Sequence, residues 1–263
     1  MLPAADSAGQ PFSGRSFTPN PFANDTGERD PALGQALDAF ATLLDADSDT
    51  RTQATLATAW ALCIEALGRA RVLSPLIAEA GDFGVTEHGA LVEKTQELSV
   101  PHLAGPDGRA VAPVFSDVAA MVSWNAEARP IPVEGARAAL AAASDGLALV
   151  LDPGSPSTRV FRRSALAAMA TGSPYVAPWI DPEVAAALQG VLAPYSEVVV
   201  HRVVCGDPRQ TLAGPEVVVV LGLIPGLDQD AVATLVAEIS SQWVTNPIIA
   251  KRCDGVGVKV LPA

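Results

Sequence analysis

Histidine, serine and carboxylate side chains are the groups through which this chain could catalyse a reaction or bind a metal. The three histidines, His88, His102 and His201, are dispersed, and none has the two-histidine spacing of a helical metal site. No serine lies in a G-x-S-x-G turn, which presents the nucleophile of many hydrolases. The sequence therefore predicts no catalytic, cofactor-binding or metal-binding residue and favours a noncatalytic protein.

Two segments could bind a partner or ligand. Trp124, Asn125 and Arg129 fit a recognition surface, since Trp and Arg often anchor interfaces. In the alternative, Trp124 closes a helix onto the core and Arg129 caps that helix or pairs with an acid. Asp152 follows the apolar run 147–151, where a strand's carboxyl end would face a ligand crevice. Asp152 also fits an Asp-Pro-Gly turn, in which its side chain bonds the backbone two residues on.

The charge balance argues against a nucleic-acid or membrane partner. The chain has 17 Lys and Arg against 29 Asp and Glu, a net charge of -12, and shows no basic stripe. Its longest uncharged apolar run, 217–227, is shorter than the roughly 20 residues that span a bilayer. No secretion signal is evident, and Cys63, Cys205 and Cys253 are isolated. These features predict buried, free thiols in a cytoplasmic protein.

Apolar periodicity and turn residues predict the elements that must position these side chains. Helices are expected at 31–45, 51–69, from 116, and at 135–143, 164–170, 182–192 and 228–243. Strands are expected at 72–78, 98–104, 110–115, 147–151, 160–162, 197–205, 216–224 and 256–261. Residues 79–95 and 125–132 are expected to be loops.

This order predicts an α+β fold of mixed sheets with flanking helices, in two α/β domains. We expect a disordered tail over 1–29, a first domain over 30–172 and a smaller second domain over 173–263. The apolar run 217–223 leaves one alternative open. As an edge strand it would pair across a homodimer, whereas as a central strand it would be core.

A family resemblance extends from the turn between the predicted strands 98–104 and 110–115 to the predicted strand 147–151. It rests on Gly105-Pro106-Asp107-Gly108-Arg109, Pro113-Val114-Phe115-Ser116, Trp124-Asn125, Glu127 to Val133, and Ala148 to Pro153. In the order and spacing of these pieces the chain resembles the SseB N-terminal domain family in its actinobacterial form, over roughly residues 31–170. The family is named for an enhanced serine sensitivity phenotype, and the resemblance implies no established activity.

Two hypotheses of function follow. The first is a noncatalytic binding or scaffold protein that contacts an unknown protein partner through Trp124, Asn125, Arg129 and Asp152. The alternative is an amino-acid sensor, or an enzyme, with an unrecognised site near Asp152 and His102 at the carboxyl end of the first sheet.

Overall fold

The computed structural model describes residues 21–80, 83–85, 91–93 and 96–261. The helices are α1 (Pro31–Asp45), α2 (Gln53–Arg69), α3 (Val118–Trp124), α4 (Gly135–Ser144), α5 (Arg163–Thr171), α6 (Pro182–Leu192), α7 (Gln229–Thr245) and α8 (Pro247–Arg252). The strands are β1 (Arg71–Ala80), β2 (Phe83–Val85), β3 (Leu91–Glu93), β4 (Gln96–Ser99), β5 (Leu103–Ala104), β6 (Ala110–Val114), β7 (Arg129–Glu134), β8 (Ala148–Leu151), β9 (Arg159–Phe161), β10 (Val198–Cys205), β11 (Val217–Leu223) and β12 (Val256–Leu261). The α+β class predicted from the sequence is confirmed.

The first two helices begin and pack as their sequences predict. The Asp30 side chain accepts the N–H groups of Ala32 and Leu33, and the proline after Asp30 occupies the first helical position. One face of α1 is buried, through Leu33, Leu37, Phe40 and Leu44. On α2, Trp60 lies between two other rings, 5.2 Å from Phe40 and 4.7 Å from Phe161.

A four-stranded sheet in the order β5-β6-β8-β9 forms the centre of the first half. Strands β6 and β8 are parallel, and β8 is a central strand, as its continuous apolar sequence predicts. Leu149 and Leu151 face the helices and belong to the main core. Val150 faces the other way and packs with Leu212, which a loop of the second half contributes.

A second sheet, in the order β4-β1-β7, is joined to the first by a bridge between Leu73 and Phe115. Two loop predictions are wrong here. Within 79–95, β1 continues to Ala80 and β2 pairs with β3. Within 125–132, β7 begins at Arg129 and pairs with β1. Prolines at 130 and 132 obscured this strand, but β7 lies at the sheet's edge, where a missing N–H is tolerated.

The second half is a three-stranded sheet in the order β10-β11-β12, with helices packed on one face. Strand β11 is central, antiparallel to β10 and parallel to β12. Alternate residues of β11 join the core with Ile239 and Trp243 of α7. The alternative in which 217–223 forms an edge strand is therefore wrong, and with it the argument for a homodimer through that strand.

The core runs across the predicted domain boundary after residue 172. One hydrophobic cluster contains Trp60 of α2, Phe161 of β9 and Trp179 of a 3₁₀ turn in the second half. The side chain of Gln53 on α2 accepts the N–H of Cys205, at 2.7 Å. The four-stranded sheet and the β10-β11-β12 sheet therefore share one hydrophobic core.

Candidate functional site

Ser116 and Asp152 meet at the carboxyl ends of the parallel strands β6 and β8. Each follows its strand by one or two residues, and neither side chain is exposed. The Asp152 carboxylate accepts the Ser116 N–H at 2.7 Å and the Ser116 hydroxyl at 2.8 Å. The turn predicted at Asp152 is present, since its carbonyl accepts the N–H of Ser155. Its carboxylate, however, bonds Ser116 rather than the backbone two residues on.

Residues 25–29 cover this pair of side chains. Arg29 donates from Nε to the Ser116 hydroxyl at 3.0 Å, and its Nη2 lies 3.7 Å from the Asp152 carboxylate. The Gly27 carbonyl accepts the N–H of Val118, and Arg71 pairs with Asp25 at 3.0 Å. For residues 25–29 the structure thus differs from the predicted disordered tail over 1–29, of which residues 1–20 lie outside the described residues. Ion pairs with residues far along the chain, which local composition does not reveal, hold this segment in place.

The Ser116–Asp152 pair has the geometry of a structural link. Burial raises the pKa of the Asp152 carboxyl, against the opposing effects of its bonds from Ser116 and of the Arg29 charge. Asp152 has a left-handed backbone, with φ of 49°, an uncommon conformation outside glycine. The hydrogen bonds from Ser116 and the ion pair with Arg29 offset that cost and fix the end of β8 to the start of α3.

The four residues predicted to form a binding surface lie in four different settings. Trp124 is half-buried, with its ring 5.2 Å from that of Phe115, so the core interpretation describes most of the side chain. Asn125 ends α3, and its side chain accepts the N–H of Glu127. Arg129 is exposed on β7, opposite Leu76, and forms no ion pair within the described residues. Asp152 is fully buried and therefore cannot belong to the same surface.

The histidines and cysteines form no reactive group in the described part of the chain. His102 is exposed and His201 is half-buried, while His88 lies outside the described residues. The three cysteines are free and buried, and burial raises the pKa of each thiol to about 12. No group of three or more potential metal ligands is found among the described residues. None of the described helices has the length and apolar character needed to cross a membrane.

Three cavities lined by described residues lie away from the carboxyl ends of β6 and β8. The first, about 600 Å³, lies between α2, α4 and α5, and Asp152, His102 and Arg129 are not among its lining residues. Two others, of about 310 and 330 Å³, lie on the two sides of Arg109. Arg109 immediately precedes β6, so these cavities are at the amino ends of β6 and β8. The ligand site predicted near Asp152 and His102 would lie at the opposite end of this sheet.

Arg109 and Arg162 connect the two halves beside these cavities. Arg109 donates to the Asp254 carboxylate at 2.9 Å. Arg162 is buried, and its Nη2 donates to Asp207 and to the Gly214 carbonyl, each at 2.7 Å. The two partners of Arg162 lie 45 and 52 residues further along the chain, so no local pattern of the sequence predicts these contacts.

One face of the C-terminal sheet is covered by none of the described helices. We call this surface the open face; it consists of Val200, Arg202, Val220, Gly222, Lys259 and Leu261, which the strand registers place side by side. Val200 is 62% exposed and Leu261 is 42% exposed, whereas Val220 is only 7% exposed between the two cations. Gly222 adds no side chain to this surface, and a larger residue would not fit there, since a Cβ would lie 2.7 Å from a methyl group of Val200.

An irregularity of β10 enlarges the exposed apolar area. The register shifts between Val198 and Val200, so Val199 has no partner on β11. Val199 is 68% exposed at this bulge. Arg202 and Lys259 form no ion pair with any described residue. The surface therefore combines exposed valines with two unneutralised cations.

Comparison with known proteins identifies a family but no individual relative. No curated protein and no solved structure matches the chain. A model of the SseB protein N-terminal domain matches residues 35–168, just over half of the 263 residues. This range contains the Ser116–Asp152 pair and the four-stranded sheet, and the chain belongs to the SseB family.

Proposed function

We propose that this SseB-family chain is a noncatalytic binding protein whose partner docks on the open face of the C-terminal sheet. The observation that carries the proposal is the row Arg202–Val220–Lys259, in which two cations that form no ion pair with a described residue flank an apolar residue. Exposed valine side chains on an uncovered sheet face are costly to leave in water, and docking would remove them from it. Free, buried cysteines support a cytoplasmic setting for this interaction.

The partner is inferred to carry acidic and apolar side chains in alternation. Arg202 and Lys259 are cations in a chain with a net charge of -12, and no acid of the described residues neutralises them. An acidic segment would complement them, and its apolar side chains would cover Val200 and Leu261. A second copy docked by the same face would bring like charges together, so the charge disfavours self-association there.

The proposal predicts that a peptide alternating glutamate with valine and leucine binds the wild type. Because the contact includes two charge pairs, its affinity should fall as salt is raised. Arg202→Glu combined with Lys259→Glu should weaken binding by about tenfold or more, since the new acids repel the peptide. Fluorescence anisotropy of the labelled peptide measures both effects.

Matched controls separate this surface from general electrostatics. Arg137→Glu changes an exposed arginine on α4 and should leave the affinity within about twofold. A peptide with lysine in place of glutamate should bind the wild type more weakly. If the open-face variant binds as well as the wild type, the proposed docking surface is wrong.

The Trp124–Arg129 surface is the competing location. Its supporting observation is the exposed Arg129 guanidinium, which forms no ion pair within the described residues. Arg129→Glu tests it without disturbing the packing of Trp124 on Phe115. Loss of peptide binding in this variant, with binding retained by the open-face variant, would move the site to the first half of the chain.

A further inference from the structure

The two cavities beside Arg109 adjoin one another and differ in character. They share Arg109, Leu212 and Asp254 as lining residues. Their volumes, about 310 and 330 Å³, are near the lower end of the range of roughly 300–1,000 Å³ for ligand pockets. Both lie between the four-stranded sheet and the β10-β11-β12 sheet, and such junctions are a frequent position for small-molecule sites.

The first cavity is lined by ion-paired side chains, some of whose polar atoms form no hydrogen bond with a described residue. Arg109 donates from Nε to Asp107 and from Nη2 to Asp254, while its Nη1 forms no hydrogen bond in the described residues. Asp254 accepts from Arg109 and Arg162 through Oδ2, and its Oδ1 has no bond to any described residue. Arg162, only 2% exposed, has its Nε unpartnered within the same part of the chain.

The second cavity has a mostly apolar wall. Its lining includes Ala110, Ala143, Leu147, Ala148 and Leu212, and also Arg163, whose guanidinium donates to the carbonyls of Ala250 and Cys253. Arg109 and Asp254 line this cavity as well as the first. An acceptor and a donor of opposite charge therefore adjoin a small aliphatic surface.

A strained loop supplies the part of the wall that comes from the second half. Gln210 and Leu212 have φ of 54° and 61°, a backbone conformation that is unusual for leucine. Asp207 holds this loop by accepting the N–H of Leu212 at 2.7 Å and a guanidinium hydrogen bond from Arg162. Backbone strain held in place by several bonds is typical of sites that clamp a ligand.

We propose that these cavities form one binding site for a small zwitterion with an aliphatic group, the chemistry of an apolar α-amino acid. The ligand carboxylate would accept from Nη1 of Arg109, and its ammonium group would donate to Oδ1 of Asp254. The aliphatic group would lie against Leu147, Ala148 and Leu212. This site is separate from the open face, so either proposal can fail without the other.

Calorimetric titration with leucine tests the site on the full chain. Leucine should bind with heat that saturates and should raise the melting temperature, because a ligand that binds only the folded state stabilises it. 4-Methylpentanoate lacks the ammonium group, 3-methylbutylamine lacks the carboxylate, and serine lacks the aliphatic group. Each of the three should bind about tenfold more weakly than leucine, or worse.

Two pairs of variants locate the binding. Ala143 lines the apolar cavity yet is exposed on α4, so Ala143→Trp fills the cavity without removing a core contact. It should weaken leucine binding by about tenfold or more, whereas Ala141→Trp, exposed on the same helix, should change it by less than about twofold. Arg109→Gln should likewise weaken binding, with Arg137→Gln as its control.

The binding results with leucine and its analogues either support the proposed site or overturn it. Binding of leucine that is lost in Ala143→Trp and Arg109→Gln and kept in both controls supports the site. Absence of binding at millimolar leucine, or equal binding by the Ala143→Trp variant, overturns it. Equal affinity for 4-methylpentanoate would show an anion site and overturn the zwitterion assignment.

Discussion

Glu216 is a buried carboxylate at the junction of the two halves. It accepts the hydroxyl of Ser164 on α5 and the N–H of Asp254, each at 2.7 Å. Burial raises the pKa of this carboxyl, and the hydrogen bonds from Asp254 and Ser164 oppose that rise only in part. The folded protein therefore holds a proton on Glu216 more tightly than the unfolded chain does.

This raised pKa predicts a pH dependence of stability that Glu216→Gln removes. Below the unfolded pKa both states are protonated and the contribution of Glu216 is complete; it is lost as the pH rises through the folded pKa. Glutamine stays neutral, accepts from Asp254 and can donate to Ser164. The variant should therefore lose less stability than the wild type between acidic and neutral pH. Urea unfolding across that range measures the difference.

The matched comparison is Glu216→Ala. Alanine leaves the Asp254 N–H and the Ser164 hydroxyl without their acceptor, at roughly 1–3 kcal/mol for each group left unsatisfied. This variant should be less stable than the wild type at every pH. Identical pH profiles for the wild type and Glu216→Gln would contradict the raised pKa.

At the residue scale, the sequence identified where Asp152 lies but not what surrounds it. An apolar run followed by Asp-Pro-Gly is enough to predict a strand end and a turn. Burial of that carboxylate depends on Ser116, which is 36 residues away, and on Arg29, which approaches from the other end of the domain. No local pattern encodes such contacts. The Arg162–Asp207 pair was missed for the same reason.

At the element scale, α2 and α4 approach so closely that only glycine fits between them. A Cβ on Gly135, at the start of α4, would lie 1.8 Å from the Leu67 carbonyl oxygen of α2. Backbone cannot move aside as a flexible side chain can. Gly135 is thus required by packing, although its own φ is accessible to other residues.

Gly135→Ala should destabilise the protein by about 3 kcal/mol or more, because one helix must shift away from the other. Gly190 provides the matched control: it lies inside α6, and a Cβ there meets nothing within 4 Å. Gly190→Ala should stabilise the protein by about 0.5–1 kcal/mol, since glycine loses more backbone freedom on folding. Chemical denaturation of the two variants gives both values, and a neutral Gly135→Ala would refute the packing argument.

Helices and central strands were predictable from sequence because their apolar spacing is strong, as in α1, α7, β8 and β11. Strands β2, β3, β4 and β7 were missed or misplaced, since glycine, proline and charge obscure their alternation. The open face was not predicted either. Both faces of β11 are rich in valine, so its sequence does not reveal which face the helices cover.

At the scale of the whole molecule, the continuous core predicts that the two halves unfold together. The Trp60 cluster reaches Trp179, and the buried Arg162–Asp207 pair joins the halves. Calorimetry should therefore show one transition, with calorimetric and van't Hoff enthalpies in agreement. A fragment of residues 30–172 should show no cooperative transition, because it exposes that core and leaves Arg162 without its partner. Two separable transitions would instead support independent domains.

The buried thiols give this protein a practical property. Cys63, Cys205 and Cys253 are inaccessible, and pKa values of about 12 leave almost no thiolate at neutral pH. A maleimide dye would therefore react with a cysteine introduced at an exposed position such as Ala141, while the native cysteines stay unmodified. Spectroscopic probes can thus be attached one at a time without first replacing any residue of the core.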